Sequence, residues 1–260
     1  MKNHFVIPYT GNKRCEVEEI YEHLDLADVE TIVEPFCGSS AMSFYIASKN
    51  PKKFKYILND LNKDLQTLYK AMKDEQKWRF FCVMIEIFVN CWNKRMPNAD
   101  KRRYYKDVID TRGAVSYFIS QKFYVFRSGL APMSKSDIPK NLNLSFLKAP
   151  ILSFMKNEDV TVTCGDAVEL IKLNKKNHLY LLDPPYVLTN NSFYNSGDTA
   201  GDFNVYEYLS TCEPHMNKFL IVEDTWIMRG LFRNGTLVHT YEKNYTGLRK
   251  KKSKHIIVLF

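Results

Sequence analysis

The chain lacks several features that assign a protein to a class at once. Its six cysteines form no C-x-x-C pair and share no His/Cys ligand spacing, so neither a zinc site nor a disulfide framework is predicted. No segment approaches the apolar length of a membrane-spanning helix, and the first residues lack the apolar core of a secretory signal. Internal repeats and low-complexity tracts are also absent. We therefore expect an intracellular, cytoplasmic protein with no membrane attachment and no metal.

Acidic side chains are outnumbered by basic ones. The 260 residues carry 37 Lys and Arg against 29 Asp and Glu, a net charge of +8. An excess of this size favours a polyanionic partner such as nucleic acid, although it is also common in proteins that have no such partner. With 45% hydrophobic residues, the chain is long enough for one large α/β domain or for a core with an insertion.

Short apolar runs with strand character alternate with helical patterns at both ends of the chain. The alternation predicts an α/β fold in which a mostly parallel sheet carries helices on both faces. The last connection is short and lysine-rich, which instead predicts an antiparallel hairpin at the end of the sheet. The predicted strands are 31–34, 55–58, 160–163, 178–182, 218–222, 236–241 and 255–260, and the predicted crossover helices are 39–48, 62–73, 167–173 and 204–212.

The alternation stops in the middle of the chain. Residues 74–157 contain no clear strand, but they contain two aromatic helical stretches, 78–92 and 114–126, followed by a polar, turn-rich segment. Aromatic residues at helical spacing usually pack inward, so these stretches predict a subdomain core rather than a base-stacking surface. We therefore expect a domain built from 1–73 and 158–260, with a mostly helical insertion at 74–157.

The most informative motif is Asp183-Pro184-Pro185-Tyr186, which directly follows the predicted strand 178–182. Two consecutive prolines cannot continue a central strand, because neither has a backbone N–H and each fixes its own φ. The chain must leave the sheet at Asp183, at the strand end where ligands bind in open α/β sheets. A carboxylate, a proline carbonyl and an aromatic ring suit a planar group bearing an NH2, such as a nucleobase. A surface turn after a buried strand is the alternative.

Three other predicted strand ends carry residues that suit a ligand. Gly38 lies in a strand-to-helix turn among small hydroxyl residues, where a ligand can approach the backbone N–H groups; a tight turn with a serine cap is the alternative. Asp60 follows the second strand, 22 positions after Gly38, a spacing that suits a ribose diol, although Asp60 is also placed to cap the next helix. Asp166 follows the third strand. Parallel strands bring such side chains and Asp183 to one crevice.

The order of these motifs resembles one enzyme family, the Dam-like DNA adenine-N6 methyltransferases. The similarity is to the class whose target-recognition segment lies between the cofactor motifs and the catalytic motif. The shared order is more specific than any single motif. The matching pieces are Tyr-Thr-Gly-Asn-Lys (9–13), Glu-Pro-Phe-Cys-Gly (34–38), Asn-Asp (59–60), Cys-Gly-Asp (164–166), Asp-Pro-Pro-Tyr (183–186) with Phe-Tyr-Asn (193–195), and the lysine-rich terminal hairpin.

The resemblance implies a Rossmann-like methyltransferase sheet, an inserted target-recognition subdomain, S-adenosylmethionine as cofactor and double-stranded DNA as partner. Such an enzyme belongs to a restriction-modification system or is an orphan, phage-type methylase. Lys13 suits the methionine carboxylate of the cofactor, Asp60 its ribose hydroxyls and Asp166 its adenine amine. The implied cofactor residues are Tyr9, Lys13, Phe36, Gly38, Asp60, Asp166 and Asp183, and the implied catalytic residues are Asp183, Pro184, Pro185 and Tyr186.

The implied reaction is methyl transfer to the N6 amine of an adenine at a specific DNA sequence. The base must first be flipped out of the duplex, which costs a few kcal/mol. Asp183 and the Pro184 carbonyl then accept hydrogen bonds from the NH2 group while Tyr186 stacks on the base, so that catalysis rests on positioning and electrostatics. Two alternatives stay open: a methyltransferase acting on RNA or on the exocyclic amine of cytosine, and a non-catalytic nucleic-acid-binding protein that keeps the fold.

Two polar segments carry the residues expected to contact DNA. The segment that begins at Arg127 resembles the family's base-reading loop, but Pro132 stands where relatives often carry an arginine. Proline cannot make the bidentate guanine contact of arginine, so no target sequence is implied. The basic run of the terminal hairpin suits phosphates, with a solvated turn as the alternative. The expected DNA-contact residues are Arg127, Ser128, Leu130, Lys135, Arg249, Lys250 and Lys251.

Overall fold

The computed structural model describes residues 13–51, 53–93, 97–111, 113–123, 144–185, 204–211, 217–245 and 251–260. None of the helices in these ranges combines the length and the apolar character that a membrane-spanning segment needs. The same ranges contain no group of three or more His, Cys, Asp or Glu side chains arranged to hold a metal ion.

Seven strands within the described ranges form one mixed sheet in the order β3-β2-β1-β4-β5-β7-β6. Strand β1 pairs in parallel with β2 and β4, and β4 pairs in parallel with β5. Strand β7 runs antiparallel to both β5 and β6. The predicted parallel sheet with a terminal antiparallel hairpin is therefore confirmed. The strands are β1 (Thr31–Glu34), β2 (Lys55–Asn59), β3 (Val160–Thr163), β4 (His178–Leu182), β5 (Lys218–Glu223), β6 (Thr236–Tyr245) and β7 (Lys251–Leu259).

Helices separate the strands and fill the middle of the chain. A short 3-10 helix at Ser145–Lys148 follows the first six α-helices. The α-helices are α1 (Val17–Tyr21), α2 (Ala41–Lys49), α3 (Lys63–Lys73), α4 (Glu75–Asn93), α5 (Asn98–Ile109), α6 (Ala114–Phe123), α7 (Ile151–Met155), α8 (Ala167–Lys172), α9 (Asn204–Ser210) and α10 (Trp226–Leu231).

The described residues divide into two compact units. One comprises 62–162, and the other comprises 13–61 together with 163–260. In the first unit, Trp78, Phe81 and Phe118 are buried and their rings contact one another in sequence, so the aromatic stretches form a core, as their spacing predicts. In the second unit, β1 and most of β4 and β5 are buried throughout. Strands covered on both faces are typical of a parallel sheet with helices on either side.

Several elements differ from the sequence prediction. The hairpin strands extend to Tyr245 and from Lys251, beyond their apolar parts, because backbone pairing in an antiparallel ladder does not require apolar side chains. Helix α5 was not predicted because it carries mostly charged and tyrosine side chains. Helix α10 is six residues long, which is too short to show a helical period of apolar residues. It is capped by the Thr225 hydroxyl, which accepts from the Met228 N–H at 3.1 Å.

Candidate active site

The turn after β1 is a tight, left-handed loop that opens helix α2. Gly38 has φ 45° and Ser40 has φ 54°, and the Ser40 N–H donates to the Cys37 carbonyl at 2.6 Å. Ser40 occupies the N-cap position of α2, but its hydroxyl makes no capping bond. That hydroxyl is buried and has no hydrogen-bond partner among the described residues. The serine-cap interpretation of this turn is therefore wrong for its side chain.

Asn59, at the end of β2, joins the two loops beside it. Its amide nitrogen donates to the carbonyl of Pro35 at 3.0 Å and to the carbonyl of Gly165 at 2.9 Å, and its amide oxygen accepts from the Thr163 hydroxyl at 2.9 Å. Its backbone carbonyl accepts from the Cys37 N–H at 2.8 Å. One buried side chain thus fixes the turn after β1 against the loop after β3.

Asp60 faces the glycine turn. Its carboxylate accepts from the Gly38 N–H at 3.1 Å. The cap of α3 is instead Asn62, whose side chain accepts from the backbone N–H groups of Asp64 and Leu65. The alternative in which Asp60 merely caps that helix is therefore wrong. The carboxylate of Asp60 instead lies beside the glycine turn, where a ligand is expected to bind.

Asp166 does cap a helix. Its carboxylate accepts from the Val168 N–H at 2.8 Å, at the start of α8. The side chain is exposed, so the capping bond leaves it accessible to solvent. Phe36, from the turn after β1, is partly buried against the apolar cluster under the sheet.

Asp183 leaves β4 at its carboxyl end and meets Lys13. The Lys13 Nζ lies 2.5 Å from Asp183 Oδ1, with the lysine side chain 4% exposed and the aspartate 28% exposed. Burial raises the pKa of Asp183, and the nearby charges of Lys13 and Lys243 oppose this rise. The site therefore holds a buried cation directly against a carboxylate that solvent can still reach.

The two prolines that follow are held in place. Pro184 is buried, and the carbonyl of Pro185 accepts from the Tyr206 hydroxyl of α9 at 2.7 Å. A solvated surface turn is not held in this way, so the segment is a tethered extension of β4.

Sequence reasoning missed several ionisable residues around this pair. Glu34 ends β1, and its buried carboxyl accepts from the Ser43 N–H at 2.8 Å. Burial raises the pKa of Glu34 to about 8, so the group is protonated at neutral pH. Glu16 and His255 are also buried, and the side chain of Lys243 is 11% exposed. Asp60 and Asp183 were predicted because they are acidic residues at strand ends. Glu34 also ends a strand, so the same criterion would have found it.

Part of the expected site lies outside the described residues. This applies to Tyr9, Tyr186, Arg127, Ser128, Leu130, Lys135, Arg249 and Lys250. Lys251 is the first residue of β7, but its side chain is not among those described. Of the expected site residues that the structure describes, Lys13 pairs with Asp183 and Gly38 with Asp60.

A mixed sheet in this order, with strand-end carboxylates beside a glycine turn, is consistent with the methyltransferase fold. The family model of the D12 class N6 adenine-specific DNA methyltransferases matches residues 9–253. The chain therefore belongs to this family and is a site-specific, adenine-specific DNA methyltransferase. Family membership implies S-adenosylmethionine as the methyl donor and DNA as the substrate.

Two curated relatives are similar to the chain. The type II methyltransferase M.MjaIII of Methanocaldococcus jannaschii is 24% identical over 277 residues, which covers 95% of this chain and 89% of the relative. The type II methyltransferase M1.LlaDCHI of Lactococcus lactis subsp. cremoris is 22% identical over 199 residues, which covers 69% of this chain and 64% of the relative.

Proposed function

We propose that this chain binds S-adenosylmethionine and methylates the N6 amine of an adenine flipped out of double-stranded DNA, with Asp183 as the residue that receives the amine. The observation that carries the proposal is the pair between Lys13 and Asp183. Asp183 lies at the carboxyl end of β4, directly before the two prolines, and the Pro185 carbonyl accepts a hydrogen bond from Tyr206. This is the sheet edge where open α/β folds bind ligands.

The described residues fit S-adenosylmethionine by the chemistry of their groups. The Gly38 turn offers backbone at a left-handed position, and Asp60 beside it suits vicinal ribose hydroxyls. The buried Ser40 hydroxyl has no partner within the described ranges, so those residues leave one polar group of this turn without a hydrogen bond. When bound, the cofactor supplies the methyl group that is transferred. We assign its contacts to Tyr9, Lys13, Phe36, Gly38, Asp60, Asp166 and Asp183.

The catalytic work of the chain is positioning. Asp183 and the Pro184 carbonyl accept hydrogen bonds from the exocyclic amine and orient its lone pair, while Tyr186 stacks on the flipped base. Hydrogen-bond acceptors held before the reaction require little reorganisation during it. The tethered Pro184–Pro185 segment supports this role. For the acceptor role Asp183 must be ionised and must share its oxygens between Lys13 and the incoming amine.

DNA recognition is assigned to two segments. The insertion 74–157 reads the target through Arg127, Ser128, Leu130 and Lys135, and the terminal hairpin contacts phosphates through Arg249, Lys250 and Lys251. The excess of basic residues over the whole chain supports a polyanionic partner.

The test is labelled methyl transfer from S-adenosylmethionine to duplex DNA, followed by digestion and identification of the methylated nucleoside. Asp183→Asn keeps the shape of the side chain and removes its charge, and we expect a loss of at least about 100-fold in the single-turnover rate. Asp25→Asn makes the same chemical change at an exposed turn whose carboxylate accepts from the Ala27 N–H, and should leave the rate unchanged. N4-methylcytosine, methylated RNA, or a wild-type rate in Asp183→Asn would each contradict the proposal.

A further inference from the structure

A buried carboxylate, that of Glu16, lies three residues after Lys13 in the chain. Its Oε2 accepts from the Tyr241 hydroxyl at 2.8 Å, and its Oε1 lies 2.6 Å from the Nζ of Lys243. The side chains of Glu16 and Lys243 are 5% and 11% exposed. His255 Nδ1 lies 3.7 Å from the same carboxylate. Glu16 therefore joins the segment before α1 to β6 of the terminal hairpin, with His255 of β7 beside it.

Glu16 is also connected to the catalytic pair. Its backbone N–H donates to the carbonyl of Lys13 at 2.8 Å, which fixes the turn that carries the lysine. Burial acts to raise the pKa of Glu16, but the charges of Lys13 and Lys243 lower it below its usual value. The charge of Lys243 in turn lowers the pKa of Asp183, and the charge of Glu16 raises it. The four groups are thus close enough to influence one another.

The cluster holds equal numbers of basic and acidic groups, Lys13 and Lys243 against Glu16 and Asp183. Burial lowers the pKa of Lys243 and raises that of Asp183, and the opposite charges within the cluster act against both shifts. Two further ionisable groups that face the cluster are neutral at pH 7. Burial lowers the pKa of His255 to about 4, and Glu34, at the end of β1, keeps its proton because burial raises its pKa to about 8. Removing one member of such a set leaves a buried charge uncompensated.

We infer that Glu16 is a positioning residue for methyl transfer: it holds Lys243 away from Asp183 and keeps Lys13 in place, so that the Asp183 oxygens stay available to the adenine amine. The inference rests on the proposed function of Asp183. When Glu16 loses its charge, both lysines are left with Asp183 as their partner, because Glu34, the other described carboxyl group of the cluster, is protonated. Without Lys243, Glu16 competes with Asp183 for Lys13.

A positioning role for Glu16 predicts mutual rescue between Glu16 and Lys243, which a purely structural role does not. Glu16→Gln keeps the size of the side chain and an oxygen that can accept from Tyr241, and Lys243→Met keeps the aliphatic stem. With both substrates saturating, each single substitution should slow single-turnover methyl transfer about tenfold, whereas the double variant should lie within about threefold of the wild type. Independent effects would instead multiply, to about 100-fold.

Tyr241→Phe is a milder second variant, because it removes one hydrogen bond to Glu16 and leaves every charge in place. We expect it to slow single-turnover transfer about threefold. The matched control is Glu19→Gln. Glu19 lies in α1, three residues after Glu16. It contacts the same hairpin strand through His239 at 3.0 Å, at the protein surface. This control should keep the wild-type rate. Thermal unfolding of every variant confirms that each is folded at the assay temperature.

Several results would overturn the inference. Wild-type single-turnover rates in Glu16→Gln or in Tyr241→Phe, or a double variant slowed by the product of its single effects, would each do so. Asp183→Asn is measured in the same assay to separate the two proposals. If Asp183→Asn is inactive and Glu16→Gln is normal, only the role of Glu16 fails. If Asp183→Asn is also normal, the proposed function itself fails.

Discussion

At the scale of single residues, Glu34 makes the stability of the fold depend on pH. Its carboxyl group is buried at the end of β1 and accepts one backbone hydrogen bond, from Ser43. Removal from water disfavours the charged form, and the pKa rises from 4.5 to about 8. Between these two pH values the native state keeps a proton that the unfolded state has lost. The contribution of Glu34 to stability is therefore present below pH 4.5 and is lost as pH rises towards 8.

Glu34→Gln should remove this dependence, because glutamine still offers an oxygen to Ser43 and does not titrate. We expect the variant to gain stability over the wild type as pH rises from 5 to 8, at up to about 1.4 kcal/mol per pH unit and a few kcal/mol in all, and the gain to level off above pH 8. Urea unfolding at a series of pH values measures it. Glu207→Gln, at an exposed position of α9, is the control. A difference between Glu34→Gln and wild type that does not change with pH would contradict the assignment.

At the scale of elements, Asp166 combines two roles that can be separated. Its carboxylate caps α8 through the Val168 N–H, and it is also proposed to accept from the adenine amine of the cofactor. Serine is as good a cap as aspartate but carries no charge. The cap therefore survives in Asp166→Ser and is lost in Asp166→Ala, while the carboxylate is lost in both.

We expect Asp166→Ala to lower the free energy of unfolding by about 1 kcal/mol and Asp166→Ser to leave it nearly unchanged. Both should weaken S-adenosylmethionine binding by about tenfold, a typical value for a lost hydrogen bond to a charged group. Calorimetric titration and thermal unfolding give the two quantities. Asn62→Ala removes the cap of α3 and should lower stability without changing cofactor affinity. A wild-type affinity in Asp166→Ser would show that capping is the only role of the carboxylate.

The elements also show what the sequence can predict. Strands β1, β3 and β4 match their predicted ranges because each is a short segment of apolar and β-branched residues that ends at a polar or glycine-containing turn. The full length of β6 and β7 was not predicted, because their outer residues are polar and are ordered by a backbone ladder from Glu242↔Lys254 to Tyr245↔Lys251. Pairing of this kind depends on the partner strand, which periodicity within one segment does not report.

At the scale of the whole molecule, the candidate site draws on residues from both ends of the chain. Motif order was enough to predict the family, and the strand-end positions of Asp60 and Asp183 followed from the sheet. The buried cluster around Glu16 could not be predicted in this way. Glu16 and Tyr241 are 225 positions apart, and a glutamate before a helix or a lysine in a strand is an ordinary surface pattern. Only the folded chain brings them together.

The net charge of +8 belongs to the molecule as a whole, but its effect on DNA binding depends on where the charge lies. If Arg249, Lys250 and Lys251 contact phosphates, changing all three to alanine should reduce the slope of log Kd against log salt concentration by about 0.9 for each lost contact, or roughly 3 in total. Affinity should fall to a similar extent for all DNA sequences, because phosphate contacts carry no base information. Fluorescence anisotropy over a range of salt concentrations measures both quantities.

The control for this experiment removes the same charge from the opposite edge of the sheet. Lys55 begins β2, and Lys175 and Lys176 precede β4, so all three lie at the amino ends of parallel strands, and all are exposed. Because open α/β sheets bind ligands at the carboxyl ends of their strands, alanine at these three positions should leave the salt slope close to that of the wild type. Equal slopes for the two triple variants would show that DNA binding responds to total charge, and the hairpin would then have no specific role in holding phosphates.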